Sequence, residues 1–323
     1  MFVNFSDIAN SVKIGLKPNL VVALAAEEEL LKALSTAKSK YLSKVILIGS
    51  QEEIRKISAD KKINLQDMQI IDIVDLVAAC NKAVSLVHQG EADFIMKGLV
   101  DTSIFLKVVI DKNNGLMMGR LLSSIMIMKI KTYHKFLMIS DGGIIIDPDL
   151  EKKKGIIENA VDLANLLGIQ PVKVGCLAAK EKVNLKMPAT VDAVALKKLS
   201  EKHYFGENVI VDGPLAMDLM VSSKAAQIKG YVSEVAGDVD VILVPNIETG
   251  NAVSKVMTHL GNAESAGIVM GACVPIILTS RSDSYENKLN SIILGTYLAQ
   301  HMGDCHETRE EQKKRNEKVI NRK

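Results

Sequence analysis

The chain has 323 residues, 48% hydrophobic and 24% charged, which suits two ordinary domains or one large α/β unit and excludes general disorder. Its formal charge of +2 sits at one end: Asp304 to Lys323 hold seven Lys or Arg against five Asp or Glu, leaving 33 of each before them. A neutral body with no Trp and 4% aromatic residues excludes both the electrostatic footprint and the stacking platforms that nucleic acid requires.

Along the chain, short apolar runs alternate with helical spacing. Asn19 to Ala25, Lys44 to Ile48, Met68 to Ile73 and Ala92 to Met96 are predicted as buried strands. Helices are predicted to begin near Ala26, Ser50, Asp75 and Asp101. This order predicts parallel strands with crossover helices on both faces. The cluster Asp111-Lys112-Asn113-Asn114-Gly115 is a loop and marks a change of layer.

In mid-chain, Asp147 is the expected N-cap of a long helix, with Pro148 at its first position. Ile156, Ile157, Ala160, Val161, Ala164 and Leu167 form its apolar stripe, and Gly168 ends it. Further strands are predicted near Val172 to Leu177, Val209 to Asp212, Val239 to Val244 and Pro275 to Thr279. Residues 307–323 read as a charged, solvated C-terminal tail.

The termini and special residues narrow the class further. The N-terminus lacks a basic segment followed by an apolar block, so no signal peptide is expected. Apolar runs such as Leu121 to Met128 fall far short of the ~20 residues needed to span a bilayer. Cys80, Cys176, Cys273 and Cys305 are widely spaced, so neither a disulfide framework nor a zinc site is expected. The six His residues form no ligand set, and no metal site or bound cofactor is expected. No P-loop is present, and no Gly-x-Gly-x-x-Gly follows the early strands. A reduced cytoplasmic protein is the resulting expectation.

Two segments carry the chemistry. Val244-Pro245-Asn246-Ile247-Glu248-Thr249-Gly250-Asn251 leaves a predicted strand and opens a helix. Thr249, Asn251 and the amides of that helix can take an anion at the positive dipole end, with Lys255 one turn further in. Gly250 permits a sharp turn or a close approach. An ordinary capped turn accounts for the same residues equally well. Thr279-Ser280-Arg281-Ser282-Asp283-Ser284 follows the last strand. Arg281 is a natural bidentate partner for phosphate, and Ser280 can donate to an oxyanion or a thiolate. Here the plainer alternative is Ser as a helix entry, with Arg281 paired to Asp283.

Taken together, these blocks resemble the phosphate acetyltransferase and phosphate butyryltransferase family. So do Asp212 to Asp218, Ala92 to Leu99 (with Met96-Lys97-Gly98), and Asp141-Gly142-Gly143 through Leu150. The likeness runs in consistent order over most of residues 15–300 and is nearer the butyryl branch. It implies reversible transfer of an acyl group between CoA and inorganic phosphate, both of them substrates. By resemblance Ser280 and Arg281 are the catalytic pair, and Thr249, Gly250 and Asn251 cradle phosphate. Lys97 and Arg120 are weaker candidates for holding anionic groups. Where the acetyl branch carries a basic Asp, this chain has Asn287, so Asp283 becomes the candidate base.

The implied fold is two α/β/α domains about an interdomain cleft, resembling the isocitrate/isopropylmalate dehydrogenase architecture. Residues 1–139 plus 275–306 would form one domain and 140–274 the other, in a homodimer or higher homo-oligomer. Two other classes fit less well. A metal- and NAD-dependent decarboxylating dehydrogenase needs an aspartate set that the chain lacks, and a non-catalytic CoA or acyl-phosphate sensor has no need to keep both Ser280 and Arg281. Acyl length is not readable, since one methylene is worth only ~1–3 kcal/mol of selectivity.

Overall fold

Apolar runs become strands and the amphipathic stretches between them become helices. The computed structural model describes residues 2–12 and 16–302. After α1 (Phe5–Ser11) come β1 (Asn19–Ala23), α2 (Glu28–Lys40), β2 (Lys44–Gly49), α3 (Gln51–Lys61) and β3 (Met68–Asp72). Then follow α4 (Leu76–His88), β4 (Phe94–Lys97), α5 (Thr102–Val109), β5 (Ser123–Lys129), β6 (Phe136–Ser140) and α6 (Leu150–Leu166). The next group is β7 (Val172–Leu177), α7 (Pro188–Ser200), β8 (Val209–Leu215), α8 (Met217–Val221) and α9 (Ser223–Ile228). The last is β9 (Val241–Leu243), α10 (Ile247–His259), β10 (Glu264–Met270), β11 (Ile276–Ile277) and α11 (Tyr285–Ala299).

Helix starts follow local chemistry. Ser50 and Asp75 each accept the N–H three residues on, from Glu53 and Ala78, and so cap α3 and α4 as their positions suggest. Asp149, rather than Asp147, caps α6: its carboxylate accepts the Lys152 N–H at 2.8 Å. Two aspartates two residues apart, with Pro148 between them, offer the same composition, and only the backbone path selects the second.

All eleven strands belong to one sheet, ordered β3-β2-β1-β4-β11-β10-β5-β6-β9-β7-β8. The expectation of a wholly parallel sheet is corrected. β3 to β11 on one side and β6 to β8 on the other pair in parallel, but β11–β10, β10–β5 and β5–β6 are antiparallel.

The parallel strands are buried on both faces, which is why they read as unbroken apolar runs. Leu20, Val45 and Phe94 face a cluster that includes Leu31 of α2 and Ile292 of α11. Val21, Ile46 and Ile95, one residue along each strand, face Ala83 of α4 and Phe105 of α5 on the other side.

Asp111 accepts the N–H groups of Asn113 and Asn114, so the predicted loop forms; the chain then crosses to the antiparallel segment. Cys80 and Cys176 are buried free thiols, and burial pushes them up to about 11 and about 12. Cys273 is disulfide-bonded, against the expectation of a reduced protein. No helix among the described residues is long and apolar enough to cross a membrane. The tail predicted over 307–323 lies outside the described residues.

Candidate active site

Strands β11 and β6 run in opposite directions, and the segments that leave them converge on one cavity of about 200 Å³. Its apolar floor is built over the antiparallel strands from Ile125, Met126, Ile139, Ile268 and Leu278. Ser280 and Asp283 form one wall, and Asn251, Ser254, Lys255 and Thr258 form another. These four lie at i, i+3, i+4 and i+7, so they make one polar stripe on α10.

The 280–283 segment is a tight turn. The Asp283 N–H donates to the Ser280 carbonyl at 3.1 Å, and the Ser280 N–H donates to Asp283 Oδ2 at 2.7 Å. Asp283 is buried and its carboxylate is engaged by its own turn. Ser280 Oγ lies 3.1 Å from Ser282 Oγ, which in turn accepts from Lys255 Nζ at 3.5 Å. A chain of polar atoms thus runs from the turn to α10. Arg281 projects to solvent and places Nη2 2.6 Å from Asp101 Oδ1. Asp101 stands at the N-cap of α5 without capping it, because its carboxylate serves Arg281 instead. Its neighbour Thr102 lines the cavity.

The 244–251 segment differs from its expected form. Asn246 is the N-cap of α10: its Oδ1 accepts the Thr249 N–H at 3.0 Å and the Thr249 hydroxyl at 2.6 Å. The Ile247 N–H donates to the Ile146 carbonyl, and the Gly250 N–H to the Asn246 carbonyl. Three of the amides expected to cradle an anion are therefore already used. Thr249 and Gly250 do not line the cavity, whereas Asn251 and Lys255 do.

Gly250 is a residue of close approach inside a helix. A Cβ there would lie 2.7 Å from Gly142 Cα, 2.8 Å from Val244 Cγ2 and 3.0 Å from the Asp141 carbonyl. That contact seats α10 against the turn that follows β6. Asp141 fixes this turn: its buried carboxylate accepts from Ser124 N, Ser124 Oγ, Gly143 N and Ile144 N, all within 2.9 Å.

Lys97 and Arg120 lie outside the cavity wall. Lys97 is buried at the end of β4 and donates to the carbonyls of Gly98 and Val100. Burial first, and then the Arg281 charge, lower its pKa. Arg120 pairs with Asp162 of α6 at 2.7 Å, both half exposed. Asn287 is turned away as well, its Oδ1 accepting the Ser265 N–H at 2.9 Å. Asp101, Ser254 and Lys288 are not among the site residues expected from the sequence. A signal existed only for Asp101, which marks the start of a helix after a strand. Among the described residues no group of three or more His, Cys, Asp or Glu gathers as a metal site.

Known proteins share this arrangement of chain. Phosphate butyryltransferase of Clostridium acetobutylicum is 38% identical over 93% of this chain and 99% of its own. Phosphate acetyltransferase of Thermotoga maritima is also 38% identical, over 88% of this chain and 96% of its own. Among solved structures, a branched-chain phosphotransacylase from Enterococcus faecalis superposes with a TM-score of 0.77 at 29% identity, covering 88% of this chain and 99% of that one. The family described as phosphate acetyl/butaryl transferase matches residues 74–296, a span that takes in every wall of the cavity. With both the family match and these relatives spanning most of it, the chain belongs to the phosphate acetyl/butaryl transferase family.

Proposed function

We propose that the protein moves a short acyl group, butyryl or close to it in size, reversibly between CoA and inorganic phosphate. The observation that supports this is the meeting of Ser280 and Asp283, the Asn251–Lys255 stripe and an apolar floor on one cavity, with Arg281 next to Ser280 in the same turn. Arg281 keeps donors to spare beyond the one directed at Asp101 and, with Lys255, holds the phosphate. A phosphate oxygen attacks the thioester carbon, forming the new C–O bond while the carbonyl electron pair moves to oxygen. The Asn251 amide stabilises that oxyanion. Its collapse breaks the C–S bond, and the pair leaves on the CoA sulfur as a thiolate that receives a hydrogen bond from Ser280 Oγ. Acyl phosphate and CoA result.

Phosphate is already an anion at neutral pH, so the forward step needs no protein base. In this reading the Asp283 carboxylate holds the Ser280 amide. Asp283→Asn, which retains an acceptor oxygen, is then expected to keep kcat within about tenfold of wild type; a loss of 10³-fold or more would make Asp283 the base instead.

Thr249 and Gly250 act by seating α10, Lys97 braces the loop that leads to Asp101, and Arg120 has no part in catalysis. The two-domain division, residues 1–139 plus 275–306 against residues 140–274, is retained. The likeness to the isocitrate/isopropylmalate dehydrogenase arrangement, a cytoplasmic setting and a homodimer are part of the same reading, the last checked by sedimentation.

Thiol release from acetyl-, butyryl- and hexanoyl-CoA, with and without phosphate, tests the activity. Release that ignores phosphate, or none with any substrate, would refute it. On the floor, the Met126 methyl lies 3.5 Å from where a Gly267 Cβ would sit, so Met126 spreads over the smallest residue of β10. Met126→Ala is expected to raise kcat/KM for hexanoyl-CoA relative to butyryl-CoA by about tenfold or more. An unchanged ratio would place the acyl chain elsewhere.

A further inference from the structure

One of the largest fully buried side chains in the protein is a lysine. Lys288 lies in the first turn of α11 and is 1% exposed. Its ammonium lies 2.7 Å from the Asp283 carbonyl, 3.3 Å from the Ser280 carbonyl and 3.5 Å from the Arg281 carbonyl. Its counter-charge, Glu27 Oε1 at 2.8 Å, comes from the segment between β1 and α2. A buried ammonium has three protons to place and no water to take them, so these oxygens are its solvation shell.

An apolar side chain of similar length would fill the same space, and buried ion pairs are often replaceable in that way without loss of stability. What an apolar side chain cannot do is gather carbonyls. With Lys288 in place, the carbonyls of three of the four turn residues are drawn to one point behind the turn. The Asp283 carboxylate fixes the same turn from within, through the Ser280 N–H. Together they leave the turn one way to stand, with Ser280 lining the cavity and Arg281 directed at Asp101.

Resting on the acyl-transfer reading above, we propose that Lys288 is a positioning residue for Ser280 and Arg281. It touches no reacting atom. It sets the peptide planes of the turn and ties them, through Glu27, to the crossover after β1.

Kinetics of Lys288→Met, Lys288→Arg and the double variant Glu27→Gln/Lys288→Met test this, with folding followed by circular dichroism and CoA affinity by calorimetry. Misplacing a reacting group by about 1 Å can cost about 10²-fold, so Lys288→Met is expected to lose about 10²-fold in kcat. KM for acyl-CoA and Kd for CoA should stay within about threefold, since Lys288 itself lines no part of the cavity and the α10 wall and apolar floor are untouched. Lys288→Arg should restore at least tenfold of the loss. The double variant removes the buried ammonium and its half-buried counter-charge, leaves no orphan, and should fold with the same low kcat. A folded Lys288→Met or double variant with near-normal kcat, or a loss carried by KM alone, would overturn the proposal. So would failure of both to fold, which would make Lys288 a residue of the core. Wild type without phosphate-dependent thiol release would instead overturn the function, and the positioning role with it.

Discussion

Arg281→Ala is expected to lower kcat/KM for acyl-CoA and phosphate by about 10³-fold while leaving the fold intact. The asymmetry follows from where the side chain lies. Its partner Asp101 is 68% exposed and Arg281 itself 58% exposed. An ion pair in that setting contributes no more than about 1 kcal/mol to stability, so the unfolding midpoint should barely move. In the proposed reaction the same guanidinium meets phosphate and the charge that develops as the thioester is attacked. Arg281→Lys keeps the charge but loses the planar fork, and should recover only part of the rate. Steady-state kinetics at several phosphate concentrations, beside urea unfolding, measure both sides. A variant that turns over normally would remove Arg281 from the site.

Gly250→Ala is the second large effect. The added methyl would fall 2.7 Å from Gly142 Cα and 3.0 Å from the Asp141 carbonyl, both backbone atoms that a side-chain rotation cannot move. Either α10 retreats or the turn after β6 does. The Asp141 turn is pinned by four hydrogen bonds, so the helix is the element that gives. Overpacking of this kind costs about 1–3 kcal/mol of stability. Retreat of α10 also carries Asn251 and Lys255 away from the cavity, and kcat/KM should fall by about 10²-fold. A stable variant with full activity would show that the approach of helix and turn is slack.

The sequence disclosed different parts of the molecule unequally. Strands such as Lys44–Gly49 were legible because burial on both faces makes them unbroken apolar runs bounded by caps like Ser50. β5, β6 and β10 were not. β10 opens Glu264-Ser265-Ala266-Gly267, residues of low strand propensity that are tolerated because Gly267 packs against the Leu278 carbonyl. Missing these three strands hid the antiparallel centre, and with it the place where the cavity lies. Ser280 and Arg281 announced themselves by type and by the blocks around them. Asn251 and Lys255 were visible as a pair, but as a loop cradle; their real logic is helical period along α10. Lys288 could not be seen at all, because a lysine in the first turn of a helix reads as solvated surface until the turn behind it is placed.

The order of strands has a consequence for a growing or shortened chain. β4 and β5 are separated in the sheet by β11 and β10, which lie within residues 264–277, near the end of the described chain. Until those residues arrive, the strands already made present two open edges facing one another across a gap, each with a row of unpaired backbone donors and acceptors. A chain that stops before residue 264 would therefore lose more than the turn that holds Ser280 and Arg281. It would carry two sticky borders, and its fate would be decided by what else pairs with them.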